Sequence, residues 1–108
     1  MEERQALTAL SALSAETRLR MLRYLVTKGQ DGAPAGEIGA AVGSSSSRSS
    51  FHLAALTRAG LLQSEKVSRR VIYRVDFQMV GGLLNYLLED CCGGHPDIVK
   101  CCQPGTCC

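Results

Sequence analysis

Apolar residues recur at helical spacing through the first sixty positions, alternate briefly, and return to helical spacing before giving way to glycine, proline and cysteine. Over residues 2–13 they fall at Ala6, Leu7, Leu10 and Leu13, which predicts an amphipathic helix that packs. Ser14 has the chemistry of an N-cap and Glu16 suits a first turn. A second helix is therefore expected through Leu19, Leu22, Leu25 and Val26, ending at Gly29. Residues 30–36 gather Gly, Asp and Pro and read as a loop, with Pro34 suited to the first turn of a short helix through Glu37, Ile38, Ala41 and Val42. Gly43 and Ser44 then make a tight turn into a helix over 45–59, closed by Gly60. Residues 61–66 and 70–75 read as strands, the second alternating Val71, Tyr73 and Val75 against Ile72 and Arg74. Val67, Ser68 and Arg69 join them. The last helix, 77–89, is apolar over more of its circumference than a surface helix needs, so a partner is expected to cover one face.

A short helix, a glycine turn and a second helix form the pattern of a helix-turn-helix, and a hairpin directly after it makes the winged form. The expected fold is mainly α with a β-hairpin wing. One domain occupies residues 1–90, and a tail at 91–108 has no periodicity and no core of its own. At 108 residues the chain supports one small core, which association with a second copy would supplement.

The net charge of +2 is too small for binding polyanions by charge alone, so any nucleic-acid footprint is local. The stretch after Gly43 supplies it. A helix N-terminus presents unpaired N–H groups that suit phosphate, and Ser45, Ser46 and Ser47 add short hydroxyls that permit close approach. Arg48 and His52 are long enough to reach base edges, with Ser50 expected beside them and Ser49 turned to the core. Arg69 and Arg70 at the hairpin tip are placed for flanking phosphates of double-stranded DNA. No apolar run approaches membrane-spanning length and no signal-like N-terminus is seen, so a cytoplasmic protein without membrane contact is expected. Neither a nucleophile paired with a base nor an organic-cofactor motif is present, which argues against an enzyme.

Three runs are similar to the ArsR family of winged-helix metalloregulatory repressors: LSALSAETRLRMLRYL (10–25), AVGSSSSRSSFHLAALTRAGLL (41–62) and VIYRV (71–75). The resemblance covers residues 6–90. It implies a homodimer paired through its first and last helices, bound to an inverted-repeat operator and released by a toxic metal or metalloid. Two sensor patterns of the family are missing. The helix before the recognition helix, GEIGAAVG, has no cysteine, and the last helix has no histidine.

All six cysteines lie instead in the last 18 residues as three adjacent pairs, Cys91-Cys92, Cys101-Cys102 and Cys107-Cys108. Thiols confined to a tail staple nothing, and in a reducing compartment they are ligands for a soft ion. The first pair resembles that of variant arsenic sensors. Trivalent arsenic or antimony, As(III) or Sb(III), takes three sulfurs, here Cys91 and Cys92 with either Cys101 or Cys102, and Gly93-Gly94 frees the backbone to turn adjacent thiols together. Methylated arsenicals, which need two sulfurs, remain open. So do zinc, cadmium or lead sensing and thiol oxidation.

Overall fold

Alanine rather than leucine forms the inner face of the first helix. The computed structural model describes residues 1–101. In α1 (Glu3–Leu13) the buried residues are Ala6, Ala9 and Ala12, whereas Leu7 and Leu10 face outward. Of the residues expected to pack, Ala6 and Leu13 do so, and Leu7 and Leu10 are left at the surface. Ser14 does not cap the second helix. It ends the first, its hydroxyl donating to the Ser11 carbonyl at 2.8 Å, and the extended Ala15 precedes α2 (Glu16–Lys28). There Met21, Leu22 and Leu25 are buried, while Leu19 and Val26 stay exposed.

The segment expected to be a loop carries structure. A 3₁₀ turn at Gly29–Asp31 leads to β1 (Ala33–Pro34), which pairs antiparallel with the second strand of the wing, Ala33 against Tyr73. Gly32 makes this pairing feasible. It sits at a φ of 65°, and a β-carbon there would run into the Tyr73 carbonyl oxygen. Two paired residues are too few to leave a period-two signal in the sequence.

The helix-turn-helix follows as α3 (Ala35–Val42) and α4 (Ser46–Arg58). Gly43, at a left-handed φ of 68°, reverses the chain between them, and the Ser44 N–H donates to the Gly39 carbonyl at 2.9 Å. Tyr24 on α2 holds α3 in place by donating to Glu37 Oε2, with Lys28 Nζ 3.3 Å from the same oxygen. The tyrosine hydrogen bond lowers the Glu37 pKa; desolvation opposes it, and Lys28 works in the same direction as the tyrosine. The core is the place where these helices meet, with Met21, Leu25, Ile38, Leu53, Leu56 and Leu61 fully buried.

The wing is β2 (Leu62–Val67) and β3 (Arg70–Val75), in register from Leu62 against Val75 to Val67 against Arg70, giving sheet order β1-β3-β2. Val67 is therefore the last paired residue, and the tip is the two-residue turn Ser68-Arg69. Ser68 holds a φ of 58°, as the first position of a tight hairpin turn requires.

Asp76 accepts from the Met79 N–H at 3.1 Å and starts α5 (Phe77–Asn85). Beyond Asn85 the helix widens into a π-helical turn, Tyr86–Cys91, that takes it past the expected end at residue 89 and includes the first cysteine. The division expected between residues 90 and 91 thus falls inside this turn. The chain beyond it is not shapeless either, since α6 (Pro96–Cys101) follows Gly93 and Gly94. Among the described residues no helix is long and apolar enough to cross a membrane.

Candidate DNA interface and thiol site

Ser45 precedes α4 in extended conformation, its hydroxyl accepting from the Arg48 N–H at 3.4 Å. It is the cap of the recognition helix and not its first residue. Ser46 and Ser47 follow as the first two helical residues, whose N–H groups point beyond the helix end. Ser49, Leu53 and Leu56 are buried and fix which way the helix faces.

The polar residues expected on one face divide between two. A helix turns about 100° per residue, so Ser46 and Ser50 share one flank while Arg48 and His52 share another, about 160° away. Ser46 and Ser50 line a cleft of about 280 Å³ between α3 and α4, with Ser44, Ser49 and Gly39. Arg48 is exposed on the opposite flank, and His52 beside it is half-buried against α2.

His52 is engaged. The Arg18 Nε donates to its Nδ1 at 3.0 Å, and desolvation, then the charges of Arg18 and Arg48, lower the imidazole pKa from its ordinary 6.5. The ring is a neutral acceptor at pH 7 with only Nε2 left to donate. Between the flanks, at the centre of the outward face, stands Phe51. It is 61% exposed, with the Arg18 guanidinium 5.5 Å from its ring centroid and the His52 ring edge-on at 5.7 Å. Sequence reading missed both Arg18 and Phe51. Phe51 was recoverable from helical projection, lying about 160° from Leu53, but nothing local marks Arg18, 34 residues from His52. Arg69 and Arg70 are exposed at the wing tip.

At the other end of the molecule Cys91 closes the π-helical turn and Cys92 follows it. Interaction with the neighbouring Cys91, then desolvation, then the Cys91 charge, raise the Cys92 pKa. Cys92 also lines an apolar cleft of about 530 Å³ with Leu84, Leu87, Leu88 and Ile98. Cys101 ends α6, half-buried. Among the described residues no three His, Cys, Asp or Glu side chains gather into a metal site. Cys102, Cys107 and Cys108 lie outside the described residues.

A capped second helix projecting from a three-helix core, with a basic two-stranded wing beside it, defines a winged helix-turn-helix DNA-binding protein. The family model described as a helix-turn-helix domain matches residues 13–65. The chain is 33% identical over 88 residues to the HTH-type transcriptional regulator YgaV of Escherichia coli, covering 82% of this chain and 87% of that one. Its fold matches an ArsR-like transcriptional regulator from Rhodococcus sp. RHA1 with a TM-score of 0.73 at 24% identity, over 97% of this chain and 96% of the other. It also matches the homodimeric winged helix-turn-helix DNA-binding domain Mb0332 from Mycobacterium bovis with a TM-score of 0.65 at 24% identity, over 85% and 82%. The chain belongs to the HTH-type transcriptional regulators, with the winged helix-turn-helix fold.

Proposed function

We propose that this regulator is a repressor that binds operator DNA as a homodimer in the cytoplasm and leaves it when As(III) or Sb(III) binds the cysteines at the end of its last helix. The observation that carries the reading is the placement of the adjacent Cys91 and Cys92 where the last helix ends, ahead of two glycines of positive φ. Adjacent residues of a regular helix point about 100° apart, and the π-helical turn followed by Gly93 and Gly94 departs from that regular geometry where the two thiols stand. Softness selects arsenic and antimony over harder ions, and two neighbouring sulfurs leave a third to be brought by Cys101 or Cys102. Binding replaces three hydroxides of arsenous acid by three thiolates. Each thiol proton leaves with a hydroxide as water, and no oxidation state changes.

Pairing through the first and last helices is supported by the exposed Leu7 and Leu10 on α1 and Phe77 and Leu84 on α5, and the similar Mycobacterium bovis domain is homodimeric. Closing a metalloid site at Cys91 and Cys92 pulls on the end of the same helix. A dimer geometry in which the two α4 helices no longer match successive major grooves then releases DNA. Tenfold weaker operator binding requires only about 1.4 kcal/mol of coupling. On the operator, Ser45, Ser46, Ser47, Arg48, Ser50 and His52 meet the groove and its phosphates, and Arg69 and Arg70 meet the flanks.

The test is operator affinity with and without arsenite. Arsenite is expected to weaken binding at least tenfold. The double variant Cys91→Ser, Cys92→Ser should bind DNA as wild type does and ignore arsenite. Unchanged affinity of the wild type at saturating arsenite, with zinc, cadmium or peroxide effective instead, would sink the proposal.

A further inference from the structure

We propose that Phe51 is a specificity-determining residue that reads thymine by its methyl group, and that Arg18 positions it. The inference rests on α4 entering the major groove.

Phe51 occupies the centre of the outward face of α4, opposite the buried Ser49, Leu53 and Leu56. Leaving a large aromatic ring in water at this position is unfavourable unless something apolar comes to cover it. Its surroundings are not those of a protein-binding patch. Ser47 lies one turn before it, Arg18 against its ring and Arg48 nearby on the helix, so the neighbourhood is small, hydroxylated and cationic. Such a rim suits a polyanion. On the floor of the major groove, hydrogen-bonding edges offer nothing to a phenyl ring, whereas the thymine C5-methyl is the one apolar group presented there.

The ring is also held in advance. The Arg18 guanidinium lies over it at 5.5 Å, and the same side chain donates through Nε to His52, whose ring meets Phe51 edge-on at 67°. One arginine from α2 therefore fixes two neighbouring side chains of the recognition helix. Removing it leaves Phe51 free to rotate away without altering the ring itself.

The test uses the full chain and an operator selected by the wild-type protein from random duplexes. Thymines are replaced one at a time by deoxyuridine, which removes the methyl and keeps the base pair. At one or two positions in each half-site the wild type should lose about fourfold in affinity, the worth of one buried methyl. Phe51→Ala should bind all these duplexes alike, Phe51→Leu should retain part of the discrimination, and Arg18→Met should narrow it with Phe51 still present. Because Phe51 is a surface residue, its variants are expected to fold, which circular dichroism checks. A wild type indifferent to the methyl, or a Phe51→Ala variant that keeps the wild-type thymine preference, overturns the inference and leaves DNA binding standing. Absence of salt-sensitive binding to any duplex in the selection overturns the groove reading as well, and that result is seen before any methyl is removed.

Discussion

The recognition helix sets Ser49, Leu53 and Leu56 fully inside the core, while the helix from Phe77 through the π-helical turn to Cys91 buries Leu83 alone. Both segments are amphipathic, and both carry the residues on which the proposed function rests. α4 begins with a serine cap, ends against Gly60 and is wedged among α2, α3 and the base of the wing. The last helix is started well by Asp76, then loses regular geometry at Tyr86 and ends on two adjacent thiols beside glycines of positive φ. A surface that must match a groove is best built rigid. An element that has to respond to a ligand is better drawn from the loosely held part of the fold. Under the proposed function the first is the output and the second the input, and the second then depends on a partner for its stability.

The contrast breaks most visibly on leucine deletion. Leu53→Ala opens a cavity in the centre of the chain's own core and should cost about 2–5 kcal/mol in urea unfolding. Leu84→Ala removes a side chain that is 56% exposed. It should leave unfolding of the isolated chain within about 0.5 kcal/mol of wild type, yet raise the concentration at which the protein dissociates in sedimentation. Equal effects of the two on unfolding at low protein concentration would show that the last helix is anchored within the monomer after all.

Two serines four positions apart sharpen the picture of α4, with opposite signs. Ser45→Ala removes the acceptor for the Arg48 N–H and should destabilise by about 1 kcal/mol. The Ser49 hydroxyl is buried against Gly39 with no hydrogen-bond partner among the described residues. Ser49→Ala should therefore be neutral or stabilise by up to about 1 kcal/mol. Melting temperatures of the two variants should move apart, and a drop for Ser49→Ala would mean that its hydroxyl finds a partner in solution.

The helices, the tight turn at Gly43 and the hairpin were legible because each has local punctuation: glycine at 43 and 60, and alternation over 71–75. What was not legible is what depends on distant residues. β1 exists because Tyr73 offers it an edge. The choice of alanines over leucines on α1 depends on how closely the core lets that helix approach. Ser14 served the preceding helix because its hydroxyl found the Ser11 carbonyl first. In the site, Ser49 was expected in the core and is buried there. The serines, Arg48 and His52 were nevertheless assigned a common face that helical geometry divides, and the arginine that holds His52 comes from another helix.

Cys92 tests the input region at smaller scale. Its raised pKa, caused first by the hydrogen bond with Cys91, means less thiolate at neutral pH and slower alkylation. Peptide mapping after limited iodoacetamide treatment at pH 7.5 should show Cys92 modified more slowly in the wild type than in Cys91→Ala, where that hydrogen bond is gone. Equal rates would mean that the two thiols do not hold each other in solution.

The smallest expected effect lies at His52, where output and core adjoin. Burial and the charges of Arg18 and Arg48 depress its folded-state pKa below 6.5, so the unfolded chain binds the proton more readily than the folded one. The stability contributed by the neutral ring is complete above about 6.5, the unfolded value, and falls as pH drops below it toward the folded pKa. Protonation also places hydrogen on Nδ1, which then can no longer accept from Arg18 Nε. The melting temperature of the wild type should thus fall more between pH 7.5 and 5 than that of His52→Gln, by a degree or two, on the order of a few tenths of a kcal/mol. Parallel curves for the two proteins would mean that Arg18 does not hold His52 in solution. In that case the histidine, and Phe51 beside it, would be free to move on α4, and the rigid half of the comparison would be confined to the buried side of that helix.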